Sequence, residues 1–404
     1  MLPPLKVIKR GLRRTTEALA AELALARPGS DTPPWSDLEW RLAAAATAAH
    51  GIAPLLSRDS TWQHATWQRF LAEQRAHVED RYRRIADLLE RIDTLARTAN
   101  IAIVPLKGSA LHALGLYAPG ERPMADIDLL VRPEDVDRAG DVLQKLGYAE
   151  SFRQWKHRVF KPETGQPIPC LGEHRDTPVN IELHTRILER LPVASADVTA
   201  QVFPRDPQPG LNPYPSHGAL MSHLLLHAAG NICTRSARLM HLNDISLLAT
   251  RMAASDWDLL WSGQRPWWAF APLQLVARYY RNAIPAAVLR RAARDCPPLL
   301  RAAMRRQTLT RVSCSELWLH PLAGLEWSRS AGDIIRYMRN RLRPSQEAKQ
   351  ERADMLRTQL WLQGQSWVRQ SHVRRAVTWL TRPVPRMDTM YVVRAALGSK
   401  ALSP

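Results

Sequence analysis

Two carboxylates, Asp126 and Asp128, sit at i and i+2 inside the apolar run of IAIVPLKGSALHALGLYAPGERPMADIDLLV, residues 101–131, and they constrain this chain more than any other feature. A strand sends alternate side chains to opposite faces, so both acids point the same way, about 7 Å apart along the backbone and closer at their tips. At about 5 Å and an effective dielectric near 20, two such charges repel by roughly 3 kcal/mol. A cation between them removes that cost. The bland alternative is a D-x-D on an exposed strand edge, but Ile127, Leu129, Leu130 and Val131 place the pair in a mainly apolar element.

The neighbouring segments supply what a cation site needs. Asn100 ends a helix, residues 101–105 read as a short buried strand, Lys107-Gly108-Ser109 turns into a brief helix over 110–116, and 117–123 is a loop bearing Pro and Gly. A strand over 125–131 follows, then a helix over 133–146 with Pro133 in its first turn, Glu134 and Asp135 near its positive end and Gly147 as its stop. Strands are expected over 148–152, 156–161 and 179–184, and the last carries Glu182. Three carboxylates converging on Mg²⁺ can position nucleotide phosphates, activate an attacking hydroxyl and stabilise a leaving pyrophosphate. Gly108 would let backbone amides approach phosphate oxygens at the start of the following helix. The order Lys-Gly-Ser, with no upstream glycine, is not a P-loop.

Helices surround this core. Residues 37–50 are alanine-rich with Ser36 as N-cap and Gly51 as stop, and 62–99 carries a stripe from Phe70 to Leu95 read as core packing. Beyond a proline-rich linker at 204–215, helices are expected over 216–229, 237–252, 272–282 and 286–293, with Trp257, Trp261, Trp267 and Trp268 filling gaps between them. The resulting division is a helical N-terminal region (1–98), a catalytic core (99–190), a helical domain (191–330) and a basic helical segment (331–404).

At 404 residues and 45% apolar content, disorder is not the default. Four scattered cysteines without a C-x-x-C pair suggest neither a zinc site nor a disulfide framework, and a reducing, cytoplasmic compartment is expected. No membrane span and no targeting segment is read. The net charge of +18 points to an anionic partner, and residues 301–404 hold 19 Lys and Arg against 7 acids. Nucleic acid is therefore a partner to weigh through the basic tail, although no interleaved aromatic platform accompanies it and a GC-rich genome accounts for the arginine equally well.

Taken together, Leu106-Lys107-Gly108, the run Arg122-Pro123-Met124-Ala125-Asp126-Ile127-Asp128-Leu129-Leu130-Val131, and Glu182-Leu183-His184 resemble an uncharacterised nucleotidyltransferase family of the DNA polymerase beta-like superfamily. The resemblance to the catalytic fold covers about residues 101–186, and HGIAPLL at 50–56 is similar to the family's flank. It implies an α+β fold, a polymerase beta-like core of a small mixed sheet with helices, flanked by helical N- and C-terminal regions. It also implies Mg²⁺-dependent transfer of a nucleoside monophosphate from an NTP, ATP being the expected donor, to a hydroxyl of an unknown acceptor. Asp126 and Asp128 match the metal-binding pair, Glu182 the third carboxylate and base, and Gly108-Ser109 the phosphate-facing pair, while Lys107 and Arg122 would neutralise phosphate, with a surface ion pair as the alternative for those two. Thr185 stands where the family often has an aromatic residue, and Gly108 and Asp126 lie further apart than in many superfamily members.

Two readings compete with an active enzyme: a catalytically silent nucleotide-binding or antitoxin-like regulator on the same fold, and nucleic-acid binding through the tail. A second constellation, His217, His223, His227 and His241 with Arg238 and Asp244, is read as packing or internal hydrogen bonding, with metal or substrate contact as alternatives; His223 and His227 share a helix face.

Overall fold

The computed structural model describes residues 2–25, 31–153, 156–165, 168, 170–263, 265–320, 322–358, 362, 372–381, 383–399 and 402. Four helices come first: α1 (Leu5–Leu25), α2 (Asp37–His50), α3 (Ala53–Asp59) and α4 (Ala65–Thr98). The expected caps of α2 are present. Ser36 accepts from the Glu39 amide while Glu39 reaches back to the Ser36 amide, and Gly51 closes the helix in the left-handed conformation at φ 70°. Asn100, after α4, likewise turns the chain at φ 53°.

The sheet segment runs β1 (Ala102–Pro105), α5 (Gly108–Ala113), β2 (Asp126–Leu130), α6 (Val136–Lys145), β3 (Tyr148–Arg153), β4 (His157–Pro162) and β5 (Asn180–His184). A small hairpin, β6 (Leu188–Arg190) with β7 (Ser195–Asp197), precedes α7 (Thr199–Val202), β8 (Gly210–Leu211), α8 (His217–Thr234) and α9 (Leu239–Ala249). One mixed six-stranded sheet results, in the order β3-β4-β5-β2-β1-β8, with β2 parallel to β5 and β1 parallel to β8. The chain is thus an α+β protein.

Strand alternation divides the sheet chemically. Ile127, Leu129, Ile181, Leu183 and Phe160 face α4 and α6, where they pack with Ile85, Leu88, Ile92, Val142 and Leu143 in one apolar cluster. Asp126, Asp128, Glu182 and His184 therefore take the opposite face. A second, larger cluster joins α1 to α3 with α8, α9 and the later helices, so the N-terminal helices and those after residue 217 share a core. Trp257 and Trp268 are buried there, and Trp261 and Trp267 pack against it.

Several short elements escaped the sequence reading, among them helices over Ala53–Asp59 and Ala254–Leu259 and two pieces of strand. The segment read as a linker holds β8, where the amides of Gly210 and of Asn212 just after it donate to the Ile101 and Ile103 carbonyls at 2.8 and 2.7 Å. Two residues are too few for periodicity, and only the open edge of β1 makes them a strand. The β6–β7 hairpin is short for the same reason. In the tail, helices span Ala331–Leu342, Gln346–Thr358, His372–Thr381 and Met387–Gly398, while part of the basic segment lies outside the described residues. Among the described residues no helix is long and apolar enough to cross a membrane.

Candidate functional site

The parallel register of β2 and β5 sets Asp128 opposite Glu182, Asp126 opposite Asn180 and Leu130 opposite His184. Antiparallel β4 adds His157 opposite His184. From the turn between β1 and α5, Lys107 reaches across so that its ammonium donates to Asp128 Oδ1 at 2.9 Å, and His184 Nε2 meets the same oxygen at 3.0 Å. Sheet pairing thus brings together Asp126, Asp128, Glu182 and Lys107, all read from the sequence, and adds His157 and His184.

Their charges do not balance. Burial, then the Asp128 and Glu182 charges, push the Asp126 carboxyl up to about 7. Burial would also raise Asp128, but the Lys107 ammonium and His184 hold it well below the usual carboxylate range. Glu182 is lowered too, its burial outweighed mainly by the neighbouring His184 imidazole. Burial alone would lower Lys107 and His184; their carboxylate neighbours instead raise both. His157, by contrast, is pushed down by burial to about 4.

Lys107 is also held in a costly backbone conformation, φ 47° and ψ −111°, worth on the order of 1–3 kcal/mol for a residue with a side chain. Its amide faces the Tyr214 hydroxyl at 3.4 Å, and that hydroxyl meets His223 Nδ1 at 2.8 Å. His223 therefore supports the turn carrying Lys107, in keeping with internal hydrogen bonding. His227 and His241 instead contact each other edge to face, 5.1 Å between ring centres, at the cavity wall.

A cavity of about 290 Å³ is lined by Lys107, Gly108, Ser109, Asp126, Asp128 and Arg238, among others, while Glu182 is not part of its lining. Arg238 is exposed at its wall and its charge acts on Asp126. Ser109 also lines a larger, mainly apolar cavity of about 580 Å³ bounded by Leu114, Tyr214, Leu220 and His217.

Arg122 borders the first cavity with its charge already engaged. Its Nε and Nη2 each donate to an Asp244 oxygen at 2.8 Å, and Tyr117 donates to Asp244 Oδ1 at 2.7 Å. Gly108 lies beneath that guanidinium: a Cβ there would collide with Arg122 and come 2.8 Å from Met124 Sδ. A side chain there would have to displace Arg122 or Met124. No sequence pattern pairs positions 122 and 244; only the packing of α9 against the loop before β2 does.

The structure therefore defines an α+β protein with a cavity on one face of a mixed sheet, where Asp126 and Asp128 meet Lys107, Arg122 and Arg238. Residues 36–284, more than half of the 404, match the family described as Uncharacterised nucleotidyltransferase, and the chain belongs to that family. The match spans every residue named in the cavity. No curated protein and no solved structure shows significant similarity to the chain.

Proposed function

We propose that the chain transfers a nucleoside monophosphate from an NTP, ATP first among them, to a hydroxyl-bearing acceptor, using a polymerase beta-like core. One observation carries this reading: Asp126, Asp128 and Glu182 share a sheet face, with Asp128 and Glu182 directly opposed in register. The donor set fits a hard divalent cation, because the surplus of negative charge leaves Asp126 pushed up to about 7 despite Lys107 nearby. Mg²⁺ held by Asp126, Asp128 and Glu182 would supply charge stabilisation at the reacting phosphate.

The remaining work falls to the chain's own side chains. Lys107 and Arg238, both on the cavity wall, face the polyphosphate, whereas Arg122 holds the wall through Asp244. Glu182, its pKa lowered, is ionised at neutral pH and accepts the proton of the acceptor hydroxyl. The apolar cavity beyond Ser109 offers room for an acceptor with an apolar body. Cell extract incubated with NTPs labelled at the α-phosphate tests the proposal: wild type labels an acceptor and Asp128→Asn does not. Transfer retained by that variant removes the carboxylate site from the mechanism.

A regulatory nucleotide-binding role has one observation in its favour, the Lys107 ammonium seated on Asp128 Oδ1 where a metal-dependent enzyme needs a free carboxylate. Divalent-dependent NTP binding without label transfer to any acceptor supports that second reading.

A further inference from the structure

β4 carries one side chain that nucleotidyl transfer leaves unused. His157 stands on the site face with its side chain only 10% exposed, yet neither ring nitrogen has a hydrogen-bond partner. A buried imidazole with both nitrogens unmet is rare in a native fold unless a ligand completes it. Its Nε2 lies 3.4 Å from Glu182 Oε2, and His184 Nε2 lies 3.6 Å from that same oxygen. One ligand atom from each of the three residues falls within 4.8 Å of the others. Ligands about 2.0–2.2 Å from a Zn²⁺ ion stand roughly 3–3.6 Å apart, so two of the three spacings already suit such an ion.

We propose that His157, Glu182 and His184 form a site for a first-row transition-metal dication such as Zn²⁺, distinct in its two imidazole ligands from the Mg²⁺ proposed at Asp126 and Asp128, with which it shares Glu182. The donor chemistry makes the distinction. Imidazole nitrogen binds Zn²⁺ and Co²⁺ well, whereas Mg²⁺ prefers an all-oxygen shell. Two imidazoles and one carboxylate leave coordination positions open, unlike a closed structural site. The ion would tie β4 to β5, since His157 and His184 are paired across those strands. It would also compete with Asp128 for His184 Nε2, which meets Asp128 Oδ1 at 3.0 Å, and so communicate with the neighbouring carboxylates. The inference goes beyond nucleotidyl transfer and stands whether or not transfer occurs, although Glu182 is common to both.

The full-length, metal-stripped protein is titrated with Zn²⁺ by calorimetry, with Mg²⁺ present in large excess. One equivalent should bind, His157→Ala should weaken binding at least about 100-fold, and Asp126→Asn should bind as wild type does. No Zn²⁺ binding by wild type, or unchanged binding by His157→Ala, overturns the proposal. Loss in Asp126→Asn with retention in His157→Ala also overturns it, by placing the ion on the D-x-D pair. Co²⁺ added to wild type gives a readout independent of any variant: visible bands of a low-coordinate, nitrogen-ligated ion support the site, and a spectrum no different from aqueous Co²⁺ overturns it.

Discussion

Two buried clusters of charge lie close together in this molecule and differ in one respect. Around Asp244 every charge has its partner: Arg122 donates twice, Tyr117 donates once, Asn243 donates to the Tyr117 hydroxyl at 2.8 Å, and Tyr280 donates to Asn243 at 3.2 Å. Around Asp128, three carboxylates share one lysine and one histidine raised in pKa, and Asp126 is left with its carboxyl near 7. Buried groups that are fully paired fix a structure, while surplus buried charge awaits a ligand. Arg122 and Lys107 look alike in the sequence as basic residues flanking the acidic strand. Their partners make the first an anchor and the second a counter-ion.

The comparison breaks most sharply at Asp128. Asp128→Asn should cut label transfer at least about 100-fold with the fold retained, at some cost in Tm because Lys107 and His184 lose the ionised carboxylate they meet. Asp244→Ala should act on the fold more strongly. It leaves the Arg122 guanidinium buried without its carboxylate, and a loss of about 3–5 kcal/mol in denaturant unfolding is expected. Replacing both partners, as Arg122→Met with Asp244→Leu, should recover much of that loss, and failure to recover would show that more than charge pairing is at stake.

Lys107→Met sharpens the other side. Without its ammonium the carboxylates repel more strongly, so the metal-free variant should melt lower than wild type and gain more in Tm from added Mg²⁺. An equal gain in both proteins would mean that lysine and metal do not answer the same charge.

The smallest effect is one of pH. The folded Asp126 carboxyl, raised to about 7, binds its proton more tightly than the unfolded one, whose ordinary value is 3.8. Its contribution to stability is therefore present below about 4 and is lost as pH rises towards 7. Asp128 runs the opposite way, its contribution present above the ordinary carboxylate value and lost as pH falls through its lowered one. Subtracting the Tm profile of Asp126→Asn from that of wild type isolates the first: the wild-type disadvantage should grow between pH 4 and 7 and then level off, by an amount on the order of 5 °C. A flat difference would mean that Asp126 is not strained by its neighbours.

Long periodic elements and their punctuation were legible from residue order, because caps and turns are local chemistry. Ser36, Gly51, Asn100 and the stop at Gly147, φ 82°, stand where that chemistry put them. The D-x-D and Glu182 were legible as candidates, since period-two alternation in an apolar strand forces both aspartates to one face. β8 and the β6–β7 hairpin were not, being shorter than any period can reveal.

The sequence by itself determined that Asp126 and Asp128 lie together, that Lys107 follows a buried strand, and that residues 36–284 carry the family's pattern. Only tertiary structure decided that β2 runs parallel beside β5, which sets Glu182 against Asp128 across more than fifty residues of chain. It likewise decided that Asp244 claims Arg122 and that β4 brings His157 to the same face as His184. The physical reason is common to all three: alternation along one strand is set by local backbone geometry, whereas a partner on another element is set by which apolar faces bury together, and no spacing in the chain records that choice.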